Sequence, residues 1–181
     1  MRHVPNILSI SRIILAILLL FVVLHYEVVF PAYVDFSWVN YFACLIFCIA
    51  SLTDFFDGYI AREYNFKSLF GEVFDPLADK MLILSAFIAL LVLERANAWA
   101  VFLILSREFF ITGLRVVVAS SGKSVAASQA GKYKTGAQIA AIAFLLADFF
   151  PGGEVLLWFA TFLTLYSGFE YTMKYYKTLK G

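Results

Sequence analysis

The sequence predicts an all-α fold: a polytopic membrane protein with six transmembrane helices in one membrane-embedded domain, residues 1–181. The first observation is composition, since 62% of the residues are hydrophobic, 15% are charged and the mean hydropathy is +0.85. A soluble domain has about 25% charged residues and could not cover its surface with so few polar side chains. The second is length, because a span needs about 20 residues and 181 residues accommodate six spans with short loops.

Turn residues and short polar segments separate the apolar stretches. The first stretch resembles a secretory signal, but no small-x-small cleavage motif follows it, and we expect an uncleaved span. In order, the predicted spans are Met1–Tyr26, Phe36–Tyr59, Asp75–Leu93, Ala98–Ser120, Lys132–Phe149 and Val155–Tyr175. Cys44 and Cys48 lie inside the second, where we predict buried thiols with no redox or metal role.

Cationic residues gather on one side of the predicted membrane. Cytoplasmic flanks of membrane helices collect Lys and Arg, so we expect both termini on that side. It receives Arg2, Arg62, Lys67, Lys123, Lys132, Lys134, Lys174, Lys177 and Lys180, whereas the opposite loops hold Arg95 alone. An aromatic belt at the span ends is predicted for Trp38, Trp99, Trp158, Tyr171, Tyr175 and Tyr176.

Acidic residues are concentrated around the second and third spans, although one charge at a span centre costs about 2.5–3.5 kcal/mol. Asp54 and Asp57 are three residues apart and Asp75 and Asp79 are four apart, so each pair shares a helix face. A short connection makes the two helices neighbours and is expected to bring the four carboxylates together. Pro76 predicts either a bend or a helix start at Asp75.

Four adjacent carboxylates need neutralising cations. Oxygen ligands without nearby His or Cys suit Mg²⁺ or Mn²⁺, and two ions held between the helices suit a phosphodiester or pyrophosphate substrate. Gly58 and Ala61 leave room for a ligand, although small residues in membranes also serve helix packing. The alternative for the whole group is a solvated interfacial helix-loop-helix whose charges are offset by Arg62, Lys67 and Lys80.

These residues resemble the signature of the CDP-alcohol phosphotransferases, integral membrane enzymes of phospholipid synthesis. Its fixed positions are all filled, by Asp54, Asp57, Gly58, Ala61, Arg62, Gly71, Asp75 and Asp79. The rest of the chain is similar to the bacterial branch that makes phosphatidylglycerol phosphate. That similarity lies in residues 5–9 with Arg12, in residues 106–108 and 113–115, and in residues 131–135.

The resemblance implies a reaction in which an alcohol hydroxyl attacks the lipid-side phosphorus of CDP-diacylglycerol and CMP leaves. For this branch the acceptor is sn-glycerol 3-phosphate, and the family is typically homodimeric. With the orientation set by the cationic residues, we expect the enzyme in the inner membrane of a bacterium with its active site on the cytoplasmic side. By position, the metal ligands are Asp54, Asp57, Asp75 and Asp79, with Asp79 also the catalytic base. The nucleotide site is lined by Asp57, Gly58, Ala61, Arg62 and Gly71.

A phosphorylated acceptor requires a separate anion pocket. Arg107 and Arg115, eight residues apart in the fourth span, are candidates together with Lys132 and Lys134 at the start of the fifth. The lysines also fit ordinary flank charges, and Arg107 beside Glu108 also fits a structural ion pair.

Two other functions remain open. A sister enzyme would use serine or inositol phosphate as its acceptor, and a small transporter would use intramembrane carboxylates for proton or cation coupling. The carboxylates lie near one membrane face and no inverted repeat is apparent, which favours the enzyme. The expected partners are CDP-diacylglycerol, sn-glycerol 3-phosphate, membrane lipid and a second copy of the chain, and no nucleic acid.

Overall fold

The computed structural model describes the backbone of residues 4–31, 33–64, 69–120 and 129–180, and the side chains of residues 10–31, 33–53, 77–120 and 129–176. Within these ranges the chain forms seven helices and no strand. They are α1 (Val4–Leu24), α2 (Tyr26–Val29), α3 (Phe36–Tyr64), α4 (Leu69–Val92), α5 (Ala98–Ser120), α6 (Gln129–Leu146) and α7 (Gly152–Lys180). The all-α prediction is confirmed, and each predicted span corresponds to one long helix.

The six-span topology stays a prediction. Among the described residues, one helix segment, Phe36–Thr53 of α3, is long and apolar enough to cross a membrane by length and composition. Ile10–Leu24 of α1 is a shorter apolar stretch. Other long helices carry charged residues within their apolar parts, such as Arg107, Glu108 and Arg115 of α5.

Large apolar side chains are exposed along several helices. Ile17 of α1, Phe102 of α5 and Phe162 and Phe169 of α7 are all more than half exposed. Soluble monomers rarely expose extended apolar patches. Contact with lipid removes the cost of this exposure, so these surfaces, with the apolar α3, indicate a membrane protein.

Polar side chains fix two of the helix starts. The Ser37 backbone N–H donates to Asp35 Oδ1 at 2.8 Å ahead of α3, and the Trp99 N–H donates to Asn97 Oδ1 at 2.9 Å ahead of α5. Both are N-caps, which satisfy N–H groups that have no partner inside the helix. The hydrogen bonds from Ser37 lower the pKa of Asp35.

The helices group into two compact units. Unit 1 contains residues 1–95 and 145–149, and in it α1 packs against both α4 and α3, which also contact each other. Fully buried side chains of unit 1 are Ala16, Leu19, Phe47, Ala50, Leu82, Ala86, Phe87 and Leu90. In unit 2, residues 96–144 and 150–181, α5 packs against α7. The prediction of one domain covering the whole chain stays a prediction.

Arg95 joins the ends of three segments of unit 1. Its Nη1 donates to Asn40 Oδ1 at 2.9 Å and to the Leu146 carbonyl at 3.3 Å, and its Nη2 contacts Asp148 Oδ2 at 3.1 Å. Glu94 ends α4 in the left-handed region (φ 55°), and the Arg95 N–H then bonds the Leu90 carbonyl. This is a Schellman-type helix end, and it directs the guanidinium toward Asn40.

We expect Arg95→Ala to lower the free energy of unfolding by about 1–3 kcal/mol, because it removes a donor from the buried Asn40 side chain. Asp148→Asn should cost less than about 1 kcal/mol, since Asp148 is 55% exposed and exposed ion pairs contribute little. Unfolding of both variants in detergent micelles measures the difference. Equal effects would contradict the assignment of the stabilisation to Asn40.

Candidate active site

The signature residues lie on two helices of unit 1 that contact each other. α3 carries Asp54, Asp57, Gly58, Ala61 and Arg62 toward its C-terminal end, and α4 carries Gly71, Asp75 and Asp79 toward its N-terminal end. The backbone is helical at every one of these positions. The prediction that each carboxylate pair shares a helix face required this helical backbone. The predictions for the side chains of residues 54–76 lie outside the described side chains.

α4 begins at Leu69, so Asp75 and Pro76 lie within it. A helix start at Asp75 was therefore wrong. Proline withdraws one backbone donor from the Glu72 carbonyl, and the remaining bonds of the first turns suffice to continue the helix. Asp79 follows the fully buried Ala78 and is itself half-buried.

The donor set on these two helices fits a hard divalent cation. All four signature donors are carboxylates, and neither His nor Cys occurs between residues 54 and 80. Oxygen ligands of this kind suit Mg²⁺ or Mn²⁺. Among the described side chains no group of three metal-binding residues is found, and Asp79 is the one signature carboxylate in that set.

Arg12 on α1 is fully buried. Full burial excludes a snorkelling contact of the Arg12 side chain with water. A buried guanidinium requires negative charge or hydrogen-bond acceptors around it. α1 packs against both α3 and α4, the two helices that carry the signature residues. Arg12 therefore lies on the helix that contacts both of them.

In unit 2, Glu108 joins two of the predicted phosphate-binding cations. Its Oε1 accepts from Lys134 Nζ at 2.5 Å and from Arg107 Nη1 at 3.2 Å. Lys134 is buried, whereas Lys132 is exposed. The ion pair expected beside Arg107 is therefore present, and Lys134 is not a solvated flank charge.

α7 contacts both arginines of α5. Arg107 Nη2 donates to Ser167 Oγ at 3.0 Å, and the Arg115 guanidinium carbon lies 5.4 Å from the centre of the Tyr171 ring. Tyr171 is 4% exposed, so its predicted place in an aromatic belt at the membrane interface was wrong. The ring is buried and lies against a guanidinium carried by another helix. Sequence reasoning missed Ser167 and Tyr171 as partners of these arginines.

A buried hydrogen bond between two polar side chains joins α6 to α7. Gln138 Nε2 donates to Thr164 Oγ1 at 2.9 Å, and Thr164 Oγ1 donates to the Ala160 carbonyl at 2.6 Å. Gln138 lies one helical turn after Lys134. Lys134 and Gln138 therefore attach α6 to α5 and α7 through side-chain hydrogen bonds.

Comparison with known proteins identifies the family to which this chain belongs. The CDP-alcohol phosphatidyltransferase family model matches residues 2–166, and the chain belongs to this family. It is an enzyme of that class, as its signature predicted.

The names of curated relatives describe a particular reaction within this family. The chain is similar to proteins named CDP-diacylglycerol–glycerol-3-phosphate 3-phosphatidyltransferase. The Bacillus subtilis (strain 168) protein is 47% identical over 143 residues, covering 75% of this chain and 74% of the relative. The Rickettsia typhi protein is 39% identical over 181 residues, 94% of this chain and 96% of the relative. The Salmonella typhimurium protein is 39% identical over 181 residues, 93% and 92% of the two chains.

Proposed function

We propose that this chain transfers the phosphatidyl group of CDP-diacylglycerol to sn-glycerol 3-phosphate, forming phosphatidylglycerol phosphate and releasing CMP. The observation that carries the proposal is an intact eight-position signature on two neighbouring helices. It is supported by relatives with that enzyme name that align with more than nine-tenths of the chain.

The reaction forms one P–O bond and breaks another. The acceptor hydroxyl attacks the lipid-side phosphorus, the bond to the CMP oxygen breaks, and Asp79 takes the hydroxyl proton as the catalytic base. Two divalent cations, Mg²⁺ or Mn²⁺, held by Asp54, Asp57, Asp75 and Asp79, would offset the charge on the pyrophosphate and on the departing CMP. The nucleotide is held by Asp57, Gly58, Ala61, Arg62 and Gly71.

The acceptor phosphate is bound by cations of unit 2. Arg107, Arg115 and Lys134 with Glu108 give three positive charges against one negative, and Lys132 adds an exposed charge nearby in sequence. A phosphate monoester carries a charge of about −1.5 to −2 at neutral pH. This excess of positive charge favours a phosphorylated acceptor over serine, whose net charge is zero.

The proposal places this chemistry at the cytoplasmic face of a bacterial inner membrane. Six spans with both termini inside would put the signature helices and most cationic residues on one side. The lipid tails of CDP-diacylglycerol would then stay in the inner leaflet during transfer. We further propose a homodimer, which rests on the family resemblance.

Acceptor choice tests this function. Purified protein given CDP-diacylglycerol, Mg²⁺ and one acceptor at a time should release CMP with sn-glycerol 3-phosphate and not with serine or inositol phosphate. Selective turnover of serine would overturn the acceptor and keep the family. Solute flux across sealed vesicles without any CMP release would instead favour a transporter.

A further inference from the structure

Two arginines of α5 are each supported by a different residue of α7. We infer that Ser167, Gly168 and Tyr171 of α7 are positioning residues that hold Arg107 and Arg115 for the acceptor phosphate. We call these three residues the α7 support. The inference deepens the proposed function and rests on it. All three residues lie beyond the segment that matches the family model, which ends at residue 166.

Ser167 fixes one edge of the Arg107 guanidinium. Its hydroxyl donates to the Thr164 carbonyl at 3.0 Å, and its oxygen accepts from Arg107 Nη2 at 3.0 Å. Since the single hydroxyl hydrogen is used within α7, the oxygen presents a lone pair to the guanidinium. Ser167 is fully buried, so water does not compete for that lone pair.

Gly168 lets the Arg107 side chain lie against the backbone of α7. A Cβ at this position would be 2.9 Å from Arg107 Cγ and 3.0 Å from Nε. Both distances are shorter than ordinary carbon contacts of about 3.5–4.0 Å. Glycine weakens a helix interior relative to alanine, and the close approach of Arg107 explains why it is present here.

Tyr171 supports Arg115 by a cation–π contact at 5.4 Å. The ring is buried while the arginine side chain is exposed. A guanidinium packed on an aromatic face keeps its N–H donors available for a phosphate. The buried ring therefore fixes the arginine and leaves its hydrogen-bonding groups free to act.

Arg107 and Arg115 lie on the same helix, α5, and both contact α7. Two cations on one helix face repel each other, and an anion between them offsets that repulsion. Glu108 offsets part of it through Arg107 and Lys134. The remaining positive charge matches a phosphate monoester.

The test is steady-state kinetics of CMP release with each substrate varied in turn. Tyr171→Leu, which removes the aromatic face, should raise the KM for sn-glycerol 3-phosphate about tenfold. Gly168→Ala, which pushes on the Arg107 side chain, should raise it by a similar factor. In both variants the KM for CDP-diacylglycerol should stay within about twofold, an effect below 0.5 kcal/mol by the same conversion.

Matched controls separate positioning from general damage. Tyr171→Phe keeps the aromatic face and should restore most of the affinity lost in Tyr171→Leu. Gly136→Ala makes the same change as Gly168→Ala on α6, where a Cβ meets nothing within 4 Å, and should match wild type. If Gly168→Ala does not fold, Ser167→Ala removes the hydroxyl without adding bulk and should raise the same KM.

Three outcomes would overturn the inference: an unchanged KM for the acceptor in all support variants, an equal rise in both KM values, or a Tyr171→Phe variant as impaired as Tyr171→Leu. Failure of the proposed function is distinguishable, because it would appear in the wild-type protein as no CMP release with sn-glycerol 3-phosphate.

Discussion

Replacing Asp79 by Asn is expected to lower the rate of CMP release by a factor of about 10²–10⁴. Asn has nearly the same size but cannot accept the hydroxyl proton, and it removes one negative charge from the proposed ligand set. Asp57→Asn should cause a comparable loss, because it withdraws a carboxylate that serves both the cations and the nucleotide. Purified variants assayed with CDP-diacylglycerol and sn-glycerol 3-phosphate measure both effects.

Asp35→Asn is the matched control for these variants. Asp35 is exposed and caps α3 through the Ser37 N–H, and Asn is as good an N-cap as Asp. This variant should keep wild-type turnover. Circular dichroism should show unchanged helix content in all three proteins, and full turnover by Asp57→Asn and Asp79→Asn would end the account of a carboxylate site.

Removing divalent cations is expected to abolish CMP release. Four carboxylates on two neighbouring helices repel each other and the pyrophosphate unless cations offset their charge. Dialysis against EDTA should therefore stop turnover, and addition of Mg²⁺ or Mn²⁺ should restore it. The measurement is CMP release before chelation, after it and after metal addition.

The chelated protein provides its own control. Its helix content should remain, because the buried side chains described on α1 are apolar except for Arg12, and α1 packs against α3 and α4. Undiminished CMP release by protein shown by elemental analysis to hold no divalent metal would contradict this prediction.

The long helices could be predicted from hydropathy because each one has an apolar segment. For α5 the predicted and observed bounds coincide at Ala98–Ser120. α7 extends from Gly152 to Lys180 where Val155–Tyr175 was predicted, since a helix continues into the polar residues beyond its apolar part. The one-turn helix α2 has no such pattern and was not predicted.

Spacing along one helix also predicted that Asp54 and Asp57 share one helix face and that Asp75 and Asp79 share another, because positions three and four residues apart lie on the same side. The same rule cannot pair residues on different helices. Arg107 and Ser167 are 60 positions apart in the sequence, and their contact depends on how α5 packs against α7. Tyr171 contacts Arg115 through the same packing of α5 and α7. The sequence alone does not reveal that packing and therefore predicted a ring at the membrane interface.

The most direct test of the central claim is to count Mn²⁺ ions bound to the purified protein by electron paramagnetic resonance. We expect two ions per chain that are close enough to couple magnetically, and fewer ions in the Asp75→Asn and Asp79→Asn variants. Active wild-type protein that binds no Mn²⁺, or variants that bind as many ions as wild type, would contradict the claim that α3 and α4 together hold the cations.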